Sequence, residues 1–224
     1  MSFSRFRLDR ATGSGFAETF SKELFVRLPD FFTDEAYARL RVEVQHLLES
    51  RRRKDFLMAD TEYTPRHMST VGGLEISRSS TIVPEMYADA NLIEFLSGIA
   101  GEQVYTVADQ NENHVINCLH ELGDTHGAHV DTYAYAFNVF FDAPGLEGGG
   151  ELEFVPFSTQ LSDINSPAVR RVRNAAGDCY LFRTDRCVHR VAPLTQPGRR
   201  TILNLVYADA ATKDLMSYSS SSLY

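Results

Sequence analysis

His129 and Asp131 stand two residues apart, between apolar runs at residues 115–122 and 133–141. In a β-strand, side chains at positions i and i+2 point to the same face of the sheet. An imidazole and a carboxylate on one face make part of a metal site. One further histidine would complete the set of two histidines and one carboxylate that holds non-haem Fe(II) and leaves coordination positions open.

His189 is the candidate for that third ligand. It lies in a short apolar segment, far enough along the chain for several strands to intervene. Past it, a Pro-Gly turn leads into Arg199 and Arg200 at the start of another apolar run. An arginine at the beginning of a strand can hold the end of a small dicarboxylate through two parallel hydrogen bonds.

Two amphipathic helices are predicted in the N-terminal part. The first follows Thr33, whose hydroxyl suits the N-cap position, and repeats apolar residues at helical spacing. The second covers residues 91–99 and ends at Gly101, because glycine readily adopts the left-handed conformation that stops a helix. Residues 55–80, marked by proline and glycine, predict a long loop that is a lid, a binding loop or disordered.

From residue 103 onward the sequence changes to short β-rich runs separated by turns. The runs are 103–107, 113–122, 133–141, 150–154, 178–182, 188–191 and 200–207. Many short strands after a helical part predict an α+β fold that is mainly β. The specific expectation is a double-stranded β-helix (jelly roll, cupin-like) with N-terminal helices packed on one sheet.

We predict a single domain over residues 1–224. Residues 1–102 form its helical N-terminal part and substrate loop, and residues 103–208 form the jelly-roll core. The Ser-rich tail at residues 209–224 is either mobile or folded back as a cover.

Composition narrows the classes of partner. The net charge of −8 argues against nucleic acid or an anionic membrane as the main partner, and no apolar run is long enough to span a bilayer. Residues 1–5 lack the apolar stretch of a secretory signal, and the three cysteines lack CxxC spacing, so a cytoplasmic location is expected. Cys187, two residues before His189, is either a metal ligand or, preferably, a small buried hydrophobe.

The order of these features resembles the Fe(II)/2-oxoglutarate-dependent dioxygenases over residues 103–208. The resemblance implies that His129, Asp131 and His189 bind the iron, with 2-oxoglutarate and O2 as cosubstrates. It also implies that Arg200 binds a 2-oxoglutarate carboxylate. Arg199 is the alternative, because a one-residue slip of register changes which of them faces the pocket.

His120 is a further candidate for a 2-oxoglutarate contact, because related enzymes place a polar ring there. This assignment also follows from the resemblance.

A narrower resemblance rests on the run from His126 to Asp131, with Asn113-His114-Val115-Ile116-Asn117 before it. It is similar to the compact oxygenases that hydroxylate or halogenate free amino acids such as lysine. Those halogenases carry a small residue at the position of Asp131, which opens an iron position for chloride. The carboxylate of Asp131 fills that position, so the resemblance implies hydroxylation.

The same resemblance implies four substrate contacts. These are Arg66 for the carboxylate, Glu112 for a cationic amine, and His126 and Asn204. The lysine-acting members tend to carry a second acid where this chain has Thr132, which counts against lysine itself. Each residue also has a structural interpretation: a surface arginine, a loop acid, an orienting partner of a metal ligand and a satisfied amide, respectively.

The leading hypothesis is therefore an iron enzyme that hydroxylates a free, lysine-like amino acid, with a homodimer left open. A first alternative keeps the chemistry but takes a peptide side chain or a natural-product intermediate. A second alternative is a cupin-like metal-binding module without turnover.

Overall fold

The computed structural model of the protein describes residues 6–7 and 10–224. Residues 1–5, which lack a secretory signal pattern, lie outside that part. The elements in chain order are α1 (Arg10–Glu23), β1 (Phe25–Arg27), α2 (Asp34–Leu47), β2 (Arg52–Met58), β3 (Thr64–Val71), α3 (Gly73–Ser79), α4 (Ile82–Tyr87), α5 (Ala90–Ala100), β4 (Tyr105–Thr106), β5 (His114–Leu119), β6 (Thr125–His129), β7 (Tyr135–Asp142), β8 (Leu152–Pro156), β9 (Arg170–Val172), β10 (Cys179–Arg183), β11 (Cys187–Val191), β12 (Arg200–Ala208) and α6 (Ser220–Leu223).

The strands form one curled antiparallel sheet in the order β1-β10-β7-β12-β5-β3-β6-β11-β8-β9, with β2 paired to β3 and β4 to β12. Strand β3 connects two walls. Its residues 69–71 pair with β5, whereas Arg66 and His67 pair with β6. We name β1, β10, β7, β12, β5 and β3 the main wall, and β6, β11, β8 and β9 the second wall. This arrangement confirms the predicted jelly roll.

The N-terminal helices pack on the outer face of the main wall, as predicted. Side chains alternate along each strand, so one set faces outward and the other faces the space between the walls. The outward set forms the largest apolar cluster with buried residues of α2, α4 and α5. Its members include Leu40, Val44, Val83, Met86, Leu92, Leu96, Ile116, Cys118, Phe137, Val139, Leu203 and Leu205. The inward set is therefore free to build a site.

Both predicted helices are confirmed together with their caps. The Thr33 hydroxyl accepts the Ala36 backbone N–H at 3.3 Å at the start of α2. Gly101 ends α5 with a φ of +73°, in the left-handed region that glycine adopts without strain. Helix α1 was not predicted, because Gly13 and Gly15 interrupt the helical pattern in its first half.

The predicted long loop at residues 55–80 is wrong. The segment contains most of β2, all of β3 and helix α3. Strand β2 is an edge strand, and its charged run from Arg52 to Asp55 hides the alternation of a strand. Charges on an edge strand discourage pairing with another chain, so the pattern has a physical reason.

The C-terminal tail folds back over the space between the walls. The Thr70 hydroxyl donates to the carbonyl of Leu223 at 2.6 Å, and the Lys54 ammonium donates to that of Ser222 at 2.9 Å. Of the two alternatives for the tail, the structure shows the cover. No helix in the described part of the chain has the length and apolar character needed to cross a membrane.

Candidate active site

His129 and His189 lie directly opposite each other on β6 and β11 of the second wall. Their ring centroids are 4.1 Å apart, and both side chains are buried. The antiparallel register thus brings two distant parts of the sequence together on one face. Phe182 of the main wall meets the His189 ring edge to face at 5.2 Å and closes the space on the other side.

Each ring is oriented by a hydrogen bond from Nδ1 to a backbone carbonyl. Nδ1 of His129 lies 2.7 Å from the carbonyl oxygen of Gly127, and Nδ1 of His189 lies 2.9 Å from that of Cys187. A carbonyl oxygen can only accept, so each Nδ1–H donates and each Nε2 keeps a free lone pair. Burial, together with the neighbouring His129, lowers the pKa of His189 to about 4, which keeps the ring neutral. An imidazole whose Nε2 keeps its lone pair is ready to bind a metal.

Asp131 completes the group from just beyond the end of β6. Its Oδ1 lies 3.3 Å from Nε2 of His129 and 3.7 Å from Nε2 of His189. Its backbone N–H donates to the carbonyl of Thr184 at 3.3 Å, which holds the loop against β10. Burial raises the pKa of Asp131, but His189 and His129 outweigh it and keep the pKa below its ordinary value. Asp131 is therefore an ionised carboxylate beside both Nε2 atoms, although it is not itself in the strand.

The three side chains can hold one metal ion. Their ligand atoms all lie within 4.8 Å of one another, and no other such group of His, Cys, Asp or Glu occurs among the described residues. Two imidazole nitrogens and one carboxylate oxygen fit Fe(II) and occupy only one side of it. Cys187 is not part of the group. It packs with Phe154 and Phe182, and burial raises its pKa to about 12, so it is a buried hydrophobe.

Arg200 lines the cavity in front of this group, whereas Arg199 is exposed. The Arg200 guanidinium lies over the Phe140 ring at 5.0 Å and lines the cavity with Tyr180, and its Nε has no partner. Burial lowers the pKa of Arg200, but an arginine remains charged in a protein. A buried cation with free donors is suited to a carboxylate. Tyr180 was missed in the sequence, where only its spacing of two from Phe182 connects it to this face.

His126 also faces the cavity, although regular alternation would turn it away from His129. The pairing of β6 with β11 changes register between His189 and Val191, the residue opposite His126. This irregularity, of the kind often found beside active sites, lets both rings face inward. The His126 and His129 rings stack at 4.1 Å, and Nε2 of His126 is buried without a partner.

Arg66 lies opposite His126 on β3 and is 1% exposed, so the interpretation as a surface arginine is wrong. Its terminal nitrogens donate to hydroxyls of Thr61 and Thr64 at 3.1 and 2.9 Å and to the carbonyl of Gly127 at 3.4 Å. Its Nε has no partner. These bonds fix the guanidinium beside the histidines and leave the Nε–H available to a ligand.

Glu112 and Asn204 face the same cavity from the main-wall side. Glu112 is 8% exposed, and its Oε2 has no hydrogen-bond partner. Burial raises its pKa to about 8, and hydrogen bonds from Ser217 and Ser219 of the tail oppose that shift only in part. The Asn204 amide oxygen is also buried without a partner, which contradicts the interpretation as a satisfied amide. Each group therefore lacks a hydrogen-bond partner that a bound ligand could supply.

His120 is the one predicted site residue that the fold does not bring to the cavity. Its Nε2 lies 2.9 Å from the Ser69 hydroxyl, and it does not line the cavity. It lies beyond the end of β5, so the strand does not direct its side chain inward. Thr132 also lies outside the cavity lining.

The cavity between the walls brings the other predicted residues together. We name His129, Asp131 and His189 the metal group. The cavity is lined by the metal group, by Arg200 and by the four substrate candidates. The tail contributes Tyr218, Ser219, Leu223 and Tyr224. Its volume is about 60 Å³, whereas one buried water needs about 10–15 Å³ by the same measure. In this conformation the tail therefore encloses a small polar space.

The family model described as Halogenase D matches residues 8–222. This chain belongs to the Halogenase D family. Among curated proteins, none matches the sequence. The assignment agrees with the halogenase side of the resemblance seen in the sequence.

Solved structures show the same fold as this Halogenase D member. The non-heme alpha-ketoglutarate-dependent epimerase SnoN from nogalamycin biosynthesis is similar with a TM-score of 0.68 and 19% identity, covering 90% of this chain and 84% of that chain. AviO1 from Streptomyces viridochromogenes is similar with a TM-score of 0.67 and 19% identity, covering 92% of this chain and 97% of that chain. A prolyl hydroxylase from Trichoplax adhaerens is similar with a TM-score of 0.66 and 14% identity, covering 91% of each chain.

These neighbours support the fold and the cofactor set. The fold of this Halogenase D member is that of the iron- and 2-oxoglutarate-dependent oxygenases, and a SnoN structure contains Fe3+ and alpha-ketoglutarate. Together with the His-Asp-His group, this confirms the expectation of iron and 2-oxoglutarate at the level of fold and ligand set. SnoN is an epimerase and the Trichoplax protein is a prolyl hydroxylase, so the fold alone does not choose the reaction.

Proposed function

We propose that this protein is an Fe(II)- and 2-oxoglutarate-dependent oxygenase that hydroxylates an unactivated C–H bond of a free amino acid. A basic, lysine-like amino acid is the leading substrate class. The observation that carries hydroxylation over halogenation is Asp131, whose carboxylate lies 3.3 Å from Nε2 of His129. A ligand there takes the iron position that chloride would need.

His129, Asp131 and His189 hold the iron, and Arg200 with Tyr180 receives the distal carboxylate of 2-oxoglutarate. Bound iron supplies the chemistry that couples oxidation of 2-oxoglutarate by O2, giving succinate and CO2, to transfer of one oxygen atom into a C–H bond. The side chains supply orientation and exclusion of water. The Nδ1 hydrogen bonds to Gly127 and Cys187 support this role, because they keep both Nε2 atoms aimed at one point.

Arg66 binds the substrate carboxylate, and Glu112 binds a cationic amine. The support is that both are buried in the cavity with an unpartnered polar atom, Nε and Oε2 respectively. A polar group buried without a partner costs about 1–3 kcal/mol, so a ligand that pairs both groups recovers that cost. His126 and Asn204 add an unpartnered nitrogen and oxygen to the same space.

The enclosed cavity favours a small molecule over a peptide. The Tyr218 hydroxyl donates to the carbonyl of Val130 at 2.9 Å, and the Tyr133 hydroxyl donates to that of Leu215 at 2.8 Å. These bonds hold the tail across the space beside the metal group. A peptide side chain would need an open groove there.

Turnover with a panel of free amino acids tests this function. The protein is loaded with Fe(II) and 2-oxoglutarate, and succinate and product masses are measured with chloride present. The expected result is succinate formation stimulated by one basic amino acid, with a product heavier by one oxygen and no chlorinated product. Iron binding without stimulation by any free amino acid would contradict the substrate class. A chlorinated product would contradict the role of Asp131.

A further inference from the structure

Asn138, on β7 of the main wall, has a feature that the proposed roles do not use. It is 3% exposed, lines the cavity, and its amide oxygen is buried without a hydrogen-bond partner. A buried amide is normally paired, because leaving it unpaired costs stability. An amide oxygen that is unpartnered beside a cavity is available to a ligand.

The register places Asn138 between two residues of the proposed sites. Tyr180 of β10 is its direct cross-strand partner on one side, and Asn204 of β12 is its partner on the other. Side chains of directly opposed residues have Cβ atoms about 4.5–5.5 Å apart. The three polar side chains therefore form a row across the inner face of the main wall.

The position along β7 also places Asn138 between the arginine and the metal group. Two residues after it, the Phe140 ring carries the Arg200 guanidinium at 5.0 Å. Two residues before it, Ala136 pairs with Phe182, whose ring contacts His189 at 5.2 Å. A 2-oxo acid with its distal carboxylate on Arg200 and its oxo-acid end at the metal must cross the row that contains Asn138.

We propose that Asn138 is a positioning residue for 2-oxoglutarate, which it contacts through its amide between the Arg200 anchor and the metal. This inference rests on the proposed function. The amide donates through Nδ2 to a carboxylate oxygen of 2-oxoglutarate. The Oδ1 atom, on the side of Asn204, faces the substrate. Asn138 thereby aligns the 2-oxo acid with the substrate. Its replacement should lower the affinity for 2-oxoglutarate more than the affinity for the metal.

Anaerobic binding titrations test the assignment without turnover. The unmodified protein and the variants Asn138→Leu and Asn138→Asp are loaded with Fe(II), and 2-oxoglutarate affinity is measured by calorimetry. Asn138→Leu keeps the volume but removes the donor, and loss of a hydrogen bond to a charged group predicts about 10-fold or more weaker binding. Asn138→Asp keeps the shape but adds a negative charge, so 2-oxoglutarate binds more weakly still. Fe(II) affinity and thermal stability are measured in parallel.

Ile202→Val is the matched control, because Ile202 also lines the cavity from the main wall but offers no polar atom. It should change 2-oxoglutarate affinity less than Asn138→Leu does. Unchanged 2-oxoglutarate affinity in both Asn138 variants would overturn the inference. So would a loss of Fe(II) affinity equal to that of 2-oxoglutarate, because it would show a general structural role. If the unmodified protein binds Fe(II) but not 2-oxoglutarate, the proposed function itself fails.

Discussion

The imidazole rings of His126 and His129 stack at 4.1 Å with an interplanar angle of 20°, although they lie three positions apart on one strand. Regular alternation would place positions i and i+3 on opposite faces of the sheet. The register change between β6 and β11 brings both rings to the cavity. One strand therefore supplies both a candidate metal ligand and a polar group beside it.

Replacing Asp131 with alanine should weaken Fe(II) binding and abolish hydroxylation. Residues that only orient a ligand contribute about 10–100-fold to metal affinity, so removing a ligand itself should cost at least that much. The measurement is Fe(II) affinity by anaerobic titration, together with 2-oxoglutarate consumption. Unchanged Fe(II) affinity would show that Asp131 does not bind the metal. A variant that loses metal binding, while the unmodified protein never consumes 2-oxoglutarate, would favour a metal-binding module.

Arg200→Met and Arg199→Met form a matched pair for 2-oxoglutarate binding. Arg200 is 1% exposed inside the cavity, whereas Arg199 is exposed to solvent. Loss of one partner of a buried charged pair costs about 2–5 kcal/mol, so Arg200→Met should weaken 2-oxoglutarate binding by about 30-fold or more. Arg199→Met should leave it unchanged. Calorimetric titration of the Fe(II)-loaded proteins measures both, and the reverse order would identify Arg199 as the anchor.

Glu112 should make the metal-free protein less stable as the pH rises from about 5 to about 8. Burial raises the pKa of Glu112 from 4.5 to about 8. The folded protein then keeps this proton up to about pH 8, whereas the unfolded chain loses it near 4.5, so rising pH favours unfolding in that interval. Thermal midpoints measured across this range should decline. Glu112→Gln stays neutral at every pH and should show a smaller decline, and identical profiles would exclude the group as the cause.

Gly127→Ala should destabilise the fold and disturb Arg66. A Cβ on Gly127 would lie 2.7 Å from Cδ and 2.8 Å from the backbone nitrogen of Pro65, so β3 and β6 would have to separate. Overpacking of this kind costs about 1–3 kcal/mol, which thermal or denaturant unfolding can measure. Gly145→Ala is the control, because its added Cβ would have no atom within 4 Å. Equal stability of the two variants would show that the strands do not approach closely at Gly127.

Patterns with a regular period were predictable from the sequence. The apolar spacing and the caps at Thr33 and Gly101 predict α2 and α5, because these signals are local in the chain. Strand β2 was missed because charges cover its exposed edge, and α1 was missed because two glycines weaken its pattern. The spacing of His129 and Asp131 suggested a shared face, yet Asp131 lies beyond the end of the strand and reaches the site through a loop bonded to Thr184.

The sequence by itself determined the chemical types at the site: two histidines, a carboxylate and a pair of arginines in the order that a jelly roll requires. The tertiary structure decided which of them meet. Arg200 faces the cavity and Arg199 does not, because register sets the face of every strand residue. It also added Tyr180 and Asn138, whose proximity to Asn204 comes from cross-strand pairing between segments far apart in the chain. Such contacts depend on register, which no local pattern in the sequence encodes.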